Sequence, residues 1–242
     1  MKKFLSATAV LIMMVLPVIA MAQDGLEEAK ALMERDNDLE AYQKAIDLCA
    51  AAADSQPQSF EANWMAAKAY RLYADEAKKQ QIEGWEAVCK DYGKKGMGYG
   101  EKAIALDPGR VEGHFWYGTC VGSYSDGVSI LTALKEGLKD KTQTSFETAY
   151  KIDKMYKEAG PVLAIGRFWS VLPWPLKDKK KALTFLEEYH SYYPDNPEGL
   201  VYLGQAYLDV KEKDKAKALL EKAAASDEKF YSDQANKLLA DL

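Results

Sequence analysis

The sequence has few of the residues that most often carry catalysis or metal binding. Among 242 residues there are only two histidines, His114 and His190. Neither has a second histidine, a cysteine or a carboxylate cluster at ligand spacing, so no metal site and no histidine acid–base chemistry is indicated. We interpret both as packing or surface residues. A Gly-x-Ser-x-Gly nucleophile elbow is also missing. The sequence therefore predicts a protein that is not an enzyme and that needs no cofactor.

Cysteine is also scarce. Cys49, Cys89 and Cys120 are far apart and form no CxxC pair, which argues against a zinc or thioredoxin-like site. One disulfide is open to an exported chain and would leave one cysteine unpaired. We favour the alternative, in which Cys49 and Cys120 are small buried apolar residues.

The chain contains one glycine-rich run, Gly93 to Gly100, but this run lacks the GxxxxGK[ST] order of a phosphate-binding loop. We interpret Gly96 and Gly100 as small packing positions of a helix. Glycine costs a helix about 1 kcal/mol relative to alanine. Close approach of a second helix is one reason for a helix to keep it.

The first 22 residues have the pattern of an export signal. Lys2 and Lys3 precede an apolar run, Phe4 to Ala20, and small residues then lead to a predicted cleavage between Ala22 and Gln23. The apolar run is short for a membrane span, although an uncleaved anchor stays the alternative. No cysteine follows for lipid attachment. We expect a periplasmic or secreted protein, with any membrane attachment limited to this segment.

Positive charge is in the minority. The chain has 32 basic and 37 acidic residues, and loss of Lys2 and Lys3 with the signal leaves 30 basic residues. An acidic surface disfavours non-specific nucleic-acid binding, so we expect no nucleic-acid partner.

Apolar residues recur every three or four positions from residue 23 onward, which predicts an all-α domain over residues 23–242. The clearest unit runs from Pro197 to Glu228. Its small and large apolar residues stand at positions 4, 7, 8, 11, 20, 24 and 27 of a tetratricopeptide repeat. They are Leu200, Leu203, Gly204, Tyr207, Ala216, Leu220 and Ala223. Small residues are needed where the two helices of such a unit cross.

The second-helix pattern returns upstream, which gives five units. The spacing is irregular, with insertions of about 17, 12 and 6 residues relative to the 34-residue period. They lie around Asp75 to Lys95, around Ser125 to Lys141 and at Leu172 to Pro175, where the prolines must interrupt the helices. A last helix, Tyr231 to Leu242, is expected to cap the stack. The predicted fold is a tetratricopeptide-type solenoid of helical hairpins.

Four short segments, taken in order, carry a more specific resemblance. They are Gly113-His114-Phe115-Trp116-Tyr117-Gly118, Ala159-Gly160-Pro161, Gly166-Arg167-Phe168-Trp169 and Leu172-Pro173-Trp174-Pro175. This order resembles the T component associated with TRAP transporters, a periplasmic helical-repeat family, and is similar to the regulators of microtubule dynamics. The resemblance implies a scaffold with a pore or groove that contacts a periplasmic substrate-binding protein. The T component is a lipoprotein, and this chain lacks the acylated cysteine.

First-helix positions 2, 5, 9 and 12 of each unit are expected to line a concave groove. The predicted groove residues are Trp64, Lys68, Arg71, Phe115, Thr119 and Arg167. Trp64 and Phe115 would supply an aromatic floor, and the three basic residues would attract an organic carboxylate or an acidic peptide. Ordinary packing of the aromatic rings and solvation of the charges is an equally open alternative.

The sequence thus favours an exported binding scaffold for a protein partner or a small organic carboxylate or hydrophobic ligand. A structural scaffold that bridges proteins in envelope assembly is the alternative.

Overall fold

The computed structural model describes residues 22–242, and every regular element in that range is a helix. The predicted export signal lies, except for Ala22, outside the described residues. The helices are α1 (residues 22–32), α2 (Leu39–Ser55), α3 (Phe60–Lys79), α4 (Trp85–Leu106), α5 (Val111–Val128), α6 (Ile130–Lys135), α7 (Leu138–Asp153), α8 (Tyr156–Val171), α9 (Lys179–Tyr192), α10 (Pro197–Asp209), α11 (Lys213–Ala224) and α12 (Lys229–Ala240). None of the described helices is long and apolar enough to cross a membrane.

The helices form five consecutive antiparallel pairs: α3 with α4, α5 with α7, α8 with α9, α10 with α11, and α1 with α2, whose apolar side chains share one core cluster. The first helices of neighbouring pairs contact one another, as α3 does with α5 and α8 with α10. Stacked hairpins of this kind form a solenoid whose first helices line the inner surface. The predicted five-unit, all-α solenoid is therefore confirmed.

Several helices start at a side-chain cap. The carboxylates of Asp38 and Asp178, the hydroxyl of Ser59 and the amide oxygen of Asn196 each accept a backbone N–H from the residue three positions later. Each cap satisfies a donor that the first helical turn leaves unpaired.

The first two insertions lengthen the repeat without opening a long loop. In the second unit α3 has 20 residues and α4 has 22, whereas α10 and α11 have 13 and 12. In the third unit the additional residues extend α5 and form the short helix α6. The third insertion does break the helices, because α8 ends at Val171 and α9 begins at Lys179.

Close contact between α4 and α5 depends on glycine. A methyl group added at Gly93 would lie 2.5 Å from the backbone nitrogen of Tyr124, and one added at Gly100 would lie 2.9 Å from the Cα of Tyr117. At Gly96 it would lie 2.5 Å from the sulfur of Cys120. The predicted packing role of Gly96 and Gly100 is confirmed, because a second helix lies where their side chains would be.

The C-terminal helix covers the end of the stack. Tyr231 and Ala235 of α12 are buried against Leu200 of α10 and Leu220 of α11. The apolar face of the last unit is therefore shielded from water, as the sequence predicted.

All three cysteines are buried and unpaired. Burial raises the pKa of Cys49 and Cys120 to about 12 and that of Cys89 to about 11. The Sγ atoms of Cys89 and Cys120 donate to the backbone oxygens of Ala74 and Ala67. The interpretation of Cys49 and Cys120 as small core residues is confirmed, and Cys89 is a third.

Candidate binding surface

The six predicted groove residues come from three neighbouring inner helices. Trp64, Lys68 and Arg71 lie on α3, Phe115 and Thr119 lie on α5, and Arg167 lies on α8. The structure places five of them in two groups, an aromatic cluster around Lys68 and a charged cluster around Arg71 and Arg167, while Thr119 belongs to neither.

The aromatic cluster consists of Trp64, Phe115, Trp116 and Tyr156. The ring of Phe115 is 5.0 Å from that of Trp116 and 5.4 Å from that of Tyr156, in edge-to-face geometry. The indole Nε1 of Trp116 donates to the hydroxyl of Tyr156 over 2.9 Å. Phe115 is only 7% exposed, whereas Trp64 is half-buried. Phe115 therefore packs α5 against α8 beneath the surface, and Trp64 is the more accessible of the two predicted aromatic residues.

Lys68 is almost completely enclosed beside this cluster. Its side chain is 9% exposed, and its Nζ lies 3.2 Å from a carboxylate oxygen of Glu34 and 5.9 Å from the centre of the Trp116 ring. Burial and the positive charge of Lys157 lower the pKa of Lys68, while Glu34 acts in the opposite direction. A cation with one carboxylate partner thus sits among aromatic rings at the inner surface.

A strained turn brings Lys157 to this region. Lys157, Glu158 and Ala159 have φ values of 47°, 57° and 56°, a left-handed conformation that costs about 1–2 kcal/mol for each residue other than glycine. The next residue, Gly160, faces Phe115, whose ring would lie 2.7 Å from an added methyl group. The close contact between this turn and α5 therefore needs glycine at position 160.

The charged cluster begins on α3 with Arg71, Asp75 and Lys79, spaced four residues apart. The Asp75 carboxylate lies 2.7 Å from Arg71 Nη1 and 3.2 Å from Lys79 Nζ. Burial acts to raise the pKa of Asp75, but the charges of Arg71 and Lys79 outweigh it and lower the pKa to about 2. Asp75 is therefore ionised and shared by two cations at neutral pH.

This part of α3 faces the C-terminal helices across the inner surface. Lys79 Nζ lies 5.4 Å from the centre of the Tyr231 ring of α12. Burial acts to lower the pKa of Lys79, yet the carboxylates of Asp75 and Glu198 raise it. Burial and Glu198 also raise the pKa of Tyr202 and of Tyr231 well above the usual range. The solenoid curls until the C-terminal end of α3 reaches α12, the helix that covers the last unit.

Arg167 completes the charged cluster from α8. Its guanidinium carbon lies 4.3 Å from the centre of the Tyr202 ring, and its Nη1 donates to the side-chain oxygen of Gln205 over 2.9 Å. No carboxylate of residues 22–242 forms an ion pair with Arg167. Thr119 is used locally, since its hydroxyl donates to the backbone oxygen of Trp116.

The sequence identified the two arginines but missed their surroundings, namely Asp75, Lys79, Glu198 and Tyr202. A signal existed for two of them: Arg71, Asp75 and Lys79 follow a four-residue spacing that continues the same face of α3. Glu198 and Tyr202 belong to another unit, and only the curvature of the solenoid brings them close.

No group of three histidine, cysteine, aspartate or glutamate side chains in the described range is arranged to hold a metal ion. The inner surface instead offers cations, aromatic rings and hydrogen-bonding side chains, which suit the binding of an anionic or peptide-like partner.

Hairpin pairing and small residues at the helix crossings define a tetratricopeptide-type helical-repeat protein, and a tetratricopeptide repeat model matches residues 177–242. The family model for regulator of microtubule dynamics protein 1-3 matches residues 25–168, which is more than half of the chain. The chain belongs to this family. The predicted tetratricopeptide-type repeat and the resemblance to the regulators of microtubule dynamics are thereby confirmed, whereas no match supports the transporter T component specifically.

Three solved structures share the fold. TTC0263, a thermophilic tetratricopeptide-repeat protein of Thermus thermophilus, is 20% identical with a TM-score of 0.60, covering 90% of this chain and 99% of that one. MamA is 14% identical with a TM-score of 0.52, covering 84% and 90%. YrrB, described as a tetratricopeptide-repeat protein with an unusual peptide-binding site, is 16% identical with a TM-score of 0.50, covering 84% and 95%. No curated protein matches the chain in sequence.

Proposed function

We propose that this chain is an exported, non-catalytic scaffold whose inner surface binds a protein partner through a carboxylate-bearing segment of that partner. Helical-repeat solenoids present extended concave surfaces to their partners, and the family match places this chain among such solenoids. The export pattern of residues 1–22 supports a partner in the periplasm or outside the cell.

The observation that carries the proposal is the state of Arg167. Tyr202 and Gln205 hold its guanidinium at the half-buried inner surface, and no acid of the described chain pairs with it. A guanidinium is always charged and presents N–H groups that match a carboxylate in a bidentate fashion. An arginine that is held in place yet has no acidic partner suits an anion supplied from outside.

Arg71 offers a second contact for the same anion. It is already paired with Asp75, and its side chain is 24% exposed. Since Lys79 also holds Asp75, a partner carboxylate can contact Arg71 while Asp75 keeps one cation. A neighbour in fold is described as having a peptide-binding site, which supports a peptide segment as the occupant.

The resemblance to the T component suggests the identity of the partner. We propose a periplasmic substrate-binding protein of a TRAP-type transporter. A small organic carboxylate or hydrophobic ligand at the same surface is compatible with this proposal, because the aromatic cluster adjoins the two arginines along the inner helices.

The test is affinity capture from the native cell envelope followed by titration of the captured partner. We expect the double variant Arg71→Gln with Arg167→Gln to weaken binding about 10- to 100-fold, as expected when charge-assisted hydrogen bonds are lost. Arg35→Gln is the matched control, because Arg35 is 62% exposed and its one ion pair within residues 22–242 is with Asp38, three residues away, at 3.7 Å.

Capture of a TRAP-type substrate-binding protein supports the proposed partner. Capture of outer-membrane or cell-wall assembly proteins contradicts it and favours the bridging scaffold. Equal affinity of the wild-type protein and the double variant would rule out the charged cluster as the binding site, whichever partner is found.

A further inference from the structure

The turn between α8 and α9 carries a very exposed aromatic side chain. Trp174 is 90% exposed, and Leu176, two residues later, is 38% exposed. We call residues Leu172 to Leu176 the tip. Trp174 is more exposed than any other large apolar residue in the described part of the chain. The indole of tryptophan is among the largest apolar surfaces that a side chain can offer, and moving it from water to an apolar environment is favourable.

The tip is held in a fixed shape. Leu172 is 4% exposed and packs in a core cluster with Phe168. The backbone N–H groups of Leu176 and Lys177 both donate to the carbonyl oxygen of Pro173, over 2.8 and 3.1 Å. Proline also stands on both sides of Trp174 and fixes φ at those positions. Little conformational freedom is therefore lost when the indole enters a new environment.

A basic flank follows the tip directly. Four lysines lie within five residues, at Lys177, Lys179, Lys180 and Lys181, and the one acid among them is Asp178. The Asp178 carboxylate is used as the cap of α9. Lys177 pairs with Asp209 over 2.8 Å, and Lys181 Nζ lies 4.2 Å from the centre of the Trp169 ring. This flank is positive in a chain whose net charge is −5.

The size of the tip argues against a protein partner as its main occupant. A tryptophan side chain buries about 150–250 Å², whereas a stable protein interface needs about 800 Å² on each side. An indole beside lysines instead matches the boundary of an anionic bilayer. Tryptophan is enriched at the headgroup level of membranes, and nearby lysines are attracted to acidic lipids.

We infer that the tip docks the protein on an anionic lipid surface, with Trp174 and Leu176 at the headgroup level and the basic flank over acidic headgroups. This contact is separate from residues 1–22, to which the sequence alone limited any membrane attachment. It is also separate from the inner surface, because the tip lies beyond the end of the inner helix α8, in the connection to its paired helix α9.

The probes are vesicles of phosphatidylcholine, with and without 30% phosphatidylglycerol, in a flotation assay with the purified full chain. We expect binding to the anionic vesicles, weaker binding as salt screens the lysines, and at least tenfold weaker partitioning for Trp174→Ala. Lys179→Gln combined with Lys180→Gln should weaken binding and reduce its salt dependence. Any contribution from residues 1–22 is common to all of these proteins.

Leu131→Ala is the matched control, because Leu131 is also strongly exposed, at 62%, but lies on α6. It should bind as the wild-type protein does. Fluorescence gives a second readout: anionic vesicles should shift the emission of the wild-type protein to the blue, and Trp174→Phe should lose this shift. Equal binding of wild type and Trp174→Ala overturns the inference. So does a dimer that Trp174→Ala dissociates, since the occupant is then a second copy of the chain.

Discussion

Two helix contacts of this solenoid, α10 with α11 inside the fifth unit and α4 with α5 between the second and third units, solve the same packing problem in different ways. In the fifth unit, short helices cross at one point, where the side chain of Leu220 fills the space over Gly204. Between α4 and α5 the contact continues along two long helices, and an added side chain at Gly93 or Gly100 would meet the backbone of the other helix. The contact ends where Gly127 of α5 lies against the first turn of α4, since an added side chain at Gly127 would meet the backbone of Glu86.

This difference shows how a repeat can grow without losing contact with its neighbour. A single crossing tolerates a large side chain, because the helices separate on either side of it. Two helices that stay close for several turns leave no room for side chains between them, so glycine must recur along the face. The contact between α4 and α5 therefore requires glycine, whereas the crossing of α10 and α11 requires the side chain of Leu220.

The largest loss of stability should come from removing the Leu220 side chain from the contact between α10 and α11. Leu220 is fully buried in a cluster that also holds Leu200 and Tyr231. We expect Leu220→Ala to lower the free energy of unfolding by about 3 kcal/mol, since it removes apolar burial and leaves a cavity. Urea denaturation at 25 °C measures this. A loss below about 1 kcal/mol would show that α12 collapses into the space.

A smaller loss of stability is expected between α4 and α5, where a substitution adds atoms to the contact and does not remove them. Gly93→Ala places a methyl group 2.5 Å from the backbone of Tyr124 and should cost about 2 kcal/mol through overpacking. Gly98→Ala is the matched control on the same helix, because Gly98 is exposed and nothing lies within 4 Å of the added methyl group. That change should stabilise the protein by up to about 1 kcal/mol. Equal effects of the two changes would contradict backbone-to-backbone packing.

The smallest change in stability is expected from the charge of Asp75, which lies on the additional turns of α3. Asp75 lies beyond the point where a helix as short as α10 would end. Its pKa is lowered to about 2 from an ordinary 3.8, so its stabilising contribution is present above about pH 4 and is lost as the pH falls toward 2. Because the side chain is 30% exposed, we expect about 1–2 kcal/mol at pH 7.

The measurement compares the wild-type protein with Asp75→Asn by urea denaturation at pH 7 and pH 3. The variant should be less stable at pH 7, and about half of the difference should remain at pH 3. A difference that does not change with pH would mean that Asp75 acts through packing and not through its charge.

Much of the architecture could be predicted from the sequence because it depends on local spacing. Gly204, Ala216 and Leu220 stand at fixed offsets within one hairpin, and those offsets are a direct result of helix geometry. The insertions were located correctly for the same reason. Their form was not predictable, since lengthened helices and long loops fit the same count of extra residues.

The candidate site was predictable only in part, because it joins units that are distant in the chain. Arg71 and Arg167 follow from repeat positions, but their closeness to Tyr202 and Glu198 depends on how far the solenoid curls. The burial of Phe115 depends on the left-handed turn before Gly160, for which no local pattern gave a signal. Curvature and strain are properties of the whole stack.

The buried thiols have a practical consequence. With pKa values of about 11 to 12, no more than about one cysteine in ten thousand is ionised at pH 7, so the folded chain is nearly inert toward alkylating reagents. Each thiol is sealed on a different helix next to α3: Cys49 on α2, Cys89 on α4 and Cys120 on α5. The rate at which each cysteine is alkylated therefore reports how often its helix separates from α3, and no cysteine has to be introduced for the measurement.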